Sequence, residues 1–369
     1  MDAPGPWGTG PFILSKGFSS IQNVVALIDS DPFALTWLTA REIRTPQVVL
    51  EANPYYWNKQ RGPRLQRVIF KNDLTIEQAI DLCSYTVGNI DLVKQVPPNQ
   101  ALKVKESPYA KLEAVNAQRV LVGVFNRFQD RFNFNQKNVR LAFNLAVDRI
   151  KIISEGLCGY GHLLPSVTPP WSLDFPENLE PRETNPVLAK QLLLQSGTAS
   201  GTLRIASNQN YANIAYLMAD DLQKNLGIKV QVTVIPKDNE LEWLRVLVEK
   251  KLVPCWDIYL TDLFGLFSVD SPVFFHRELL GHDGALRVGP EIEQFNKLYT
   301  QFAREINLLQ RIEIAKEIDR YVFEEALTLS LCCPQDLYAV NNEVLFRAYR
   351  STFEFAETEV TPNHWSRRV

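Results

Sequence analysis

Apolar and polar positions along the first hundred residues recur mostly with the period of strands, and farther on mostly with that of helices. GPFILSKGF reads as a strand, and QVVLEAN and RLQRVIFKN, rich in β-branched residues, read as half-buried or buried strands. Between the last two, YYWNKQRGP is a loop that carries large rings. TIEQAIDLCSYT follows Asp73 and Thr75 as possible caps, and Ile76, Ala79, Ile80 and Leu82 fall as on one face of a short helix. NIDLVKQVPP returns as a short strand ending in a proline pair. This β-β-α-β order predicts a mixed α/β lobe built on a sheet. The stretch from Ser19 to Pro46 is longer than a compact hairpin needs. It is expected to be a helix-loop excursion covering the lobe, with a lid as the alternative.

Beyond Ala110 the strands KLEAV and RVLVGVFN lead into NQKNVRLAFNLAVDRIKIISEG. There Val139, Leu141, Ala142, Leu145, Ala146, Ile150 and Ile153 make the stripe of an amphipathic helix. After a loop, GYGHLLPSVTPPW, a helix is predicted from Asn185-Pro186 to Gly197. LRIASN, YANIAYLMADDLQKNLG, IKVQVTVIP, NELEWLRVLVEKK and WDIYLTDLF then read β-α-β-α-β. That alternation calls for a second α/β lobe with a parallel or mixed sheet, whose strand C-termini open onto a ligand crevice. Two long amphipathic helices, EIEQFNKLYTQFAREI and LLQRIEIAKEIDRYVFEEA, precede the strand-like LTLSLCCPQDLYAVNN. No segment repeats at a fixed period and none is of low complexity.

Composition narrows the function classes. The 369 residues suit two domains at ~150 residues each, and 46% hydrophobic with 22% charged residues is the balance of a packed globular protein. A net charge of −3, with Lys and Arg scattered, gives no basic stripe for a nucleic-acid backbone. No window approaches the ~20 apolar residues of a membrane span, and MDAPGPWGTGPFILSKG lacks the pattern of an export signal. The five cysteines have no metal-type spacing and read as reduced, mostly buried thiols.

Catalytic motifs fare poorly. HRELLGH lacks the i, i+4 histidine pair of a zinc helix, and Gly281 is expected to end its helix. Cys158 and His162 have no third group to orient the histidine as a base. GPWGTG and GLCGYG do not open helices after strands, as phosphate loops do, and read as turns. Asp220-Asp221 and Glu324-Glu325 read as solvated helix faces.

Eight stretches in order carry a family likeness: GTGPF, LEANPYYW, PRLQRVIF, GNIDLV, NVRLAFNLAVDR, GYGHLLPSVTPPW, NPVLAKQLLLQSG, and LQKNLGIKVQV with the later WDIYLTD. In these the chain resembles the extracytoplasmic solute-binding proteins of ABC importers, family 5, the oligopeptide, dipeptide and nickel class. The resemblance implies an α/β, periplasmic-binding-protein type II-like fold, with two lobes of mixed sheets and a hinge. Against the family's order the main lobe is N-terminally shortened: residues 1-116 plus 335-369 form the main lobe, and 117-334 the second, ligand-binding lobe. The crossings near RVLVGVFN and LSLCCPQ form the hinge, while Pro54 and its rings set a bend and cover the sheet edge.

The same resemblance implies binding rather than chemistry: no cofactor, no metal, a small-molecule or peptide ligand in the inter-lobe cleft, an ABC permease as partner, and a monomer. A cytoplasmic ligand-sensing or interaction module is the alternative, since the family is periplasmic or cell-surface and this chain shows no signal peptide. Aligning Asp270 to Phe275 with the family's run puts Phe267 where peptide-binding members carry an Asp that holds the ligand's amino group. A phenyl ring cannot replace that carboxylate, so a free-amine dipeptide is the poorer expectation unless Asp262 or Asp270 substitutes, against Asp270 as a helix cap. Tyr160, Trp171, Phe264 and Phe267 are expected at the cleft as flat contact surfaces, against ordinary core packing. Asn126, which matches a family Asn near the hinge, bonds ligand or backbone, or ends the strand as a turn residue. Arg140 reaches an anionic ligand group, or, with Arg149, pairs with surface acids such as Asp148 or solvates the helix.

Overall fold

The computed structural model describes residues 8–17, 19–24, 39–129, 131–197, 201–250, 254–264, 273–350 and 353–368. They fall into two compact units. The first holds the chain up to Val24, Thr39–Ala117 and everything from Gln335 on; the second holds Gln118–Pro334.

The first unit contains β1 (Phe12–Lys16), β2 (Ser19–Val24), β3 (Thr39–Arg44), β4 (Gln47–Ala52), β5 (Arg67–Lys71), α1 (Ile76–Tyr85), β6 (Leu92–Lys94), α2 (Ala101–Lys105) and β7 (Ala110–Val115). Sheet β1-β4-β5 is antiparallel throughout, with Leu50 opposite both Leu14 and Val68. The excursion expected at Ser19 to Pro46 begins and ends as strands, not helix: β2 and β3 pair antiparallel from Ser19↔Arg44 to Val24↔Thr39. Ladder hydrogen bonds satisfy these backbone groups where the uneven apolar spacing had given no period to read. The stretch 25–38 lies outside the described residues.

The NPYYW knot is held differently from the expectation. Tyr56 is buried, but Tyr55 and Trp57 are 89% and 71% exposed, so two of its three rings stand largely in solvent. The pin is Asn53: its Nδ2 donates to Gly10 O at 2.9 Å, its backbone N to Pro11 O, and its Oδ1 accepts from Tyr55 N. α1 starts at a capping box, Thr75 with Gln78, as the sequence cue implies.

The second unit contains β8 (Arg119–Phe125), α3 (Lys137–Ala146), α4 (Arg149–Lys151), β9 (Gly161–Leu163), α5 (Pro186–Gln195), β10 (Thr202–Asn208), α6 (Ala212–Leu226), β11 (Lys229–Ile235), α7 (Glu240–Glu249), β12 (Ile258–Phe264), α8 (Val273–Leu280), α9 (Glu293–Arg304), α10 (Leu308–Glu324) and β13 (Leu329–Pro334). Its sheet runs β11-β10-β12-β8-β13-β9. β10, β11 and β12 are parallel, whereas β8 is antiparallel to both β12 and β13. A strand covered on both faces reads as a continuous apolar run. β8 is one: Val120, Leu121 and Val122 are wholly buried, each contributing ~1.5–3 kcal/mol. On one face Leu121 and Ile205 pack with Phe143 of α3, Leu193 of α5 and Met218 of α6. On the other, Val122 and Tyr259 pack with Phe275 of α8, Phe295 of α9 and Ile318 of α10.

The helix after β8 breaks at Val147, and its arginines are not surface groups. Arg140 and Arg149 are 5% and 4% exposed. Arg140 donates to the carbonyls of Phe134, Asn135, Glu325 and Ala326. Arg149 donates to Asn144 O, Asn144 Oδ1 and Ser330 O. A guanidinium has five donors, enough to satisfy carbonyls at a helix end and beside a strand together. Asp221 likewise leaves the solvated role expected of it, being buried and accepting from Asp148 N and Lys151 Nζ.

The chain returns to the first unit as β14 (Asp336–Asn341), β15 (Val344–Leu345) and β16 (Glu359–Val360). β14 is the middle strand of β6-β14-β7. Tyr338 on β14 stacks on Phe353, Phe353 meets Phe355 edge-on, and Phe355 meets Phe70 of β5, joining this sheet to the first one. Gln335 Nε2 donates to Asn116 Oδ1 at 2.8 Å, tying together the two segments that lead to the other unit.

Candidate functional site

In an open α/β sheet, polar groups gather where strands end at their carboxyl termini, because loops replace the flanking core there. β10, β12 and β13 all end at one edge of the second unit's sheet, and the antiparallel β8 and β9 begin at it. Phe264 lies opposite Arg119, and Asp262 opposite Leu121. Alternation therefore puts Asp262, Phe264 and Arg119 on one face, just beyond the apolar core. Arg119 Nη1 forms an ion pair with Asp262 Oδ2, and the Arg119 guanidinium lies 5.4 Å from the centroid of the Phe264 ring.

Tyr211 completes the group. It follows β10 in a short 3₁₀ turn, Gln209–Tyr211, and its phenol lies beside Arg119 and Asp262. Burial and then the Asp262 charge push that phenol well above its ordinary value, with Arg119 opposing. The side chains of Arg119 and Asp262 are 19% and 16% exposed, whereas Phe264 is 54% exposed. The edge thus presents a balanced ion pair under a half-open phenyl ring.

Two more of the expected residues stand at the same edge. Tyr160, partly exposed, immediately precedes β9, whose Gly161 pairs with Pro334 at the end of β13. Trp171 is brought there by Ser172, whose Oγ accepts from Gln118 Nε2 at 2.9 Å beside Arg119. Its ring packs on the second core cluster and meets His162 edge-on at 5.5 Å. Asn126 does not join them. It lies past the other end of β8, ~23 Å away for seven residues at strand rise. There its buried amide donates to Pro254 O and Trp256 O, and its Oδ1 accepts from Phe128 N. Phe267 and Asp270 lie outside the described residues.

Comparison with known proteins decides the family. The family model of bacterial extracellular solute-binding proteins, family 5 (middle), matches residues 4–276. The chain belongs to this family. Among curated relatives, the di/tripeptide-binding protein 3 of Pseudomonas aeruginosa is 24% identical over 234 residues, which is 62% of this chain and 38% of that protein. The glutathione-binding protein GsiB of Escherichia coli is 30% identical over 105 residues, 28% of this chain and 20% of that protein. The chain thus spans well under half the length of the curated relatives it matches. Among solved structures, the ABC transporter substrate binding protein CtaP of Listeria monocytogenes superposes with a TM-score of 0.75 at 16% identity, covering 96% of this chain and 67% of that one. This likeness establishes the type II periplasmic-binding fold.

Within this family member, sequence reasoning missed Arg119 and Tyr211. The signal for Arg119 was present: Asp262 shares a strand face with Leu260, and a carboxylate there requires a cationic partner. Nothing in NQNYAN marks Tyr211. As expected, α8 ends at Leu280, with Gly281 N donating to Arg277 O. Among the described residues, no group of three or more His, Cys, Asp or Glu is placed to hold a metal ion, and no helix is long and apolar enough to cross a membrane.

Proposed function

We propose that the chain binds a small peptide or peptide-like solute, unchanged chemically, for delivery to an ABC permease, and that it works as a monomer outside the cytoplasm. The observation that carries this reading is the family match over residues 4–276. The relatives named for di- and tripeptides and for glutathione, itself a tripeptide, support the ligand class. The carboxyl edge of the second unit is the proposed contact surface. Phe264, Trp171 and Tyr160 offer ring area at small entropic cost. Asp262 is available to a ligand amine only in competition with Arg119 and Tyr211. Phe267 and Asp270 remain in the proposal on the resemblance, and Asn126 is dropped because its amide is committed at the opposite edge.

The test is thermal denaturation and calorimetric titration with a panel of di- and tripeptides, including glutathione and N-acetylated forms. A ligand at a hundredfold excess over its Kd stabilises the folded state by about 2.7 kcal/mol. A chain whose melting point is unmoved by every member at millimolar concentration does not bind peptides, and the proposal fails.

A further inference from the structure

At the sheet edge remote from Asp262, three arginines gather. Arg127 lies two residues past the end of β8 and is only 7% exposed. Its Nη2 donates to Pro290 O at 2.7 Å. Its side chain lies so close to Gly289 that a Cβ there would stand 2.6 Å from Arg127 Cβ and 2.9 Å from Nε. Arg287 donates Nη1 to Gly289 O and Nη2 to His282 O. The two guanidinium groups thus converge on the consecutive carbonyls of Gly289 and Pro290. Arg140 stands behind them with its donors already spent on backbone carbonyls.

Among the described residues no carboxylate pairs with Arg127 or Arg287. Glu325 reaches Arg140 at 3.8 Å but is shared with Lys137. The Tyr321 phenol also faces Arg127 and Arg140, and Arg287 reaches the backbone of His282, whose ring pairs with Glu291 and Asp283. Burial pushes the Arg127 guanidinium down to about 10, and the positive charges of Arg140 and Arg287 add to the fall. Arg287 Nε is buried and has no hydrogen-bond partner among the described residues. Of the five donors of the Arg127 guanidinium, the described residues engage only Nη2.

We propose that Arg127 and Arg287, backed by Arg140, form a recessed binding site for a small tetrahedral oxyanion of the phosphate or sulfate class. Paired N–H groups of arginine match such oxygens, and an anion there offsets the mutual repulsion of three cations in a poorly hydrated place. With Arg127 only 7% exposed, the ligand class proposed is a free inorganic ion and not a bulky anionic surface. It is separate from the carboxyl edge and needs no peptide.

Calorimetric titration of the full chain with inorganic phosphate, then sulfate, at fixed ionic strength against chloride, tests this. Saturable binding at one site is expected, weakened about tenfold or more in Arg287→Gln, which removes charge-assisted donors. Wild-type protein that binds neither ion beyond the chloride control, or Arg287→Gln that binds as tightly, overturns it. Should Arg287→Gln fail to fold, the intact chain serves. Phosphate is expected to slow phenylglyoxal modification of the partly exposed Arg287, read by mass spectrometry, and equal modification rates with phosphate and with chloride overturn the proposal.

Discussion

Arg119 and Asp262 pair diagonally across two antiparallel strands, two positions out of direct register, because Asp262 faces Leu121 while Phe264 faces Arg119. The offset lets one guanidinium hold a carboxylate and also lie beside a ring. Removing one partner leaves the other charge poorly compensated, with the Tyr211 hydroxyl still beside it. Asp262→Asn and Arg119→Gln are each expected to cost about 2–4 kcal/mol, below the full value for a buried pair because both side chains keep some solvent. The double variant should lose less than the sum, with a coupling of ~1–3 kcal/mol from urea unfolding. Additive losses would mean the two groups are stabilised separately.

Asp319 is the more buried acid. Its Oδ1 lies 2.7 Å from His276 Nε2, and both side chains are fully buried. The same oxygen accepts from Val167 N and Thr168 N, so it closes the turn that follows Leu164. Asp319→Ala strands two backbone donors and a histidine inside the core formed with α8 and α10. A loss of about 3–5 kcal/mol is expected by chemical denaturation. A loss under 1 kcal/mol would show that this network contributes nothing of note.

Two glycines separate backbone cost from steric cost. Gly227 closes α6 at φ 72 with nothing within 4 Å of an added Cβ. Gly227→Ala should therefore cost only the left-handed penalty, ~1–2 kcal/mol. Gly289, at φ 155, would also drive a Cβ into Arg127. Gly289→Ala should be the more destabilising of the two in thermal melts, and equal melting points would count against the close approach.

Legibility in the chain depended on how local each signal is. The apolar runs of β8, β12 and β13 and the Thr75 capping box act over a few residues, and periodicity exposes them. Asn53 bonds to Gly10, 43 residues away, and Arg119 to Asp262, 143 away. No local pattern encodes such pairs. Arg140 and Arg149 were misread because amphipathic reasoning assigns arginine to solvent, whereas a buried helix end supplies carbonyls that accept its donors. Of the candidate site, the ring at Phe264 and the acid at Asp262 were visible as unusual residues ending an apolar strand; the guanidinium and phenol that hold that acid were not.

The cysteines provide a pH test whose direction is fixed by burial. Burial pushes the Cys83 and Cys332 thiols from an ordinary value near 9 up to about 12, against Arg149 in the case of Cys332, and raises Cys333 as well. Tyr259 rises to about 12 for the same reason. Below pH 9 these thiols are protonated in both folded and unfolded chains, and their stabilising contribution is fully present. Between about 9 and 12 the unfolded chain releases protons that the folded chain keeps, so the unfolded state binds fewer protons and stability falls with rising pH. Each buried thiol should contribute a slope of ~1.4 kcal/mol per pH unit in that window. Urea midpoints measured from pH 8 to 11 should drop accordingly, and Cys83→Ala should flatten the slope even though it lowers stability at pH 8. In the native state at pH 8, a disulfide reagent should label the exposed Cys158 and Cys255 quickly and the three buried cysteines only on unfolding. Rapid labelling of Cys83 or Cys332 in folded protein would mean that these thiols are not shielded by the core, and the alkaline slope would lose its cause.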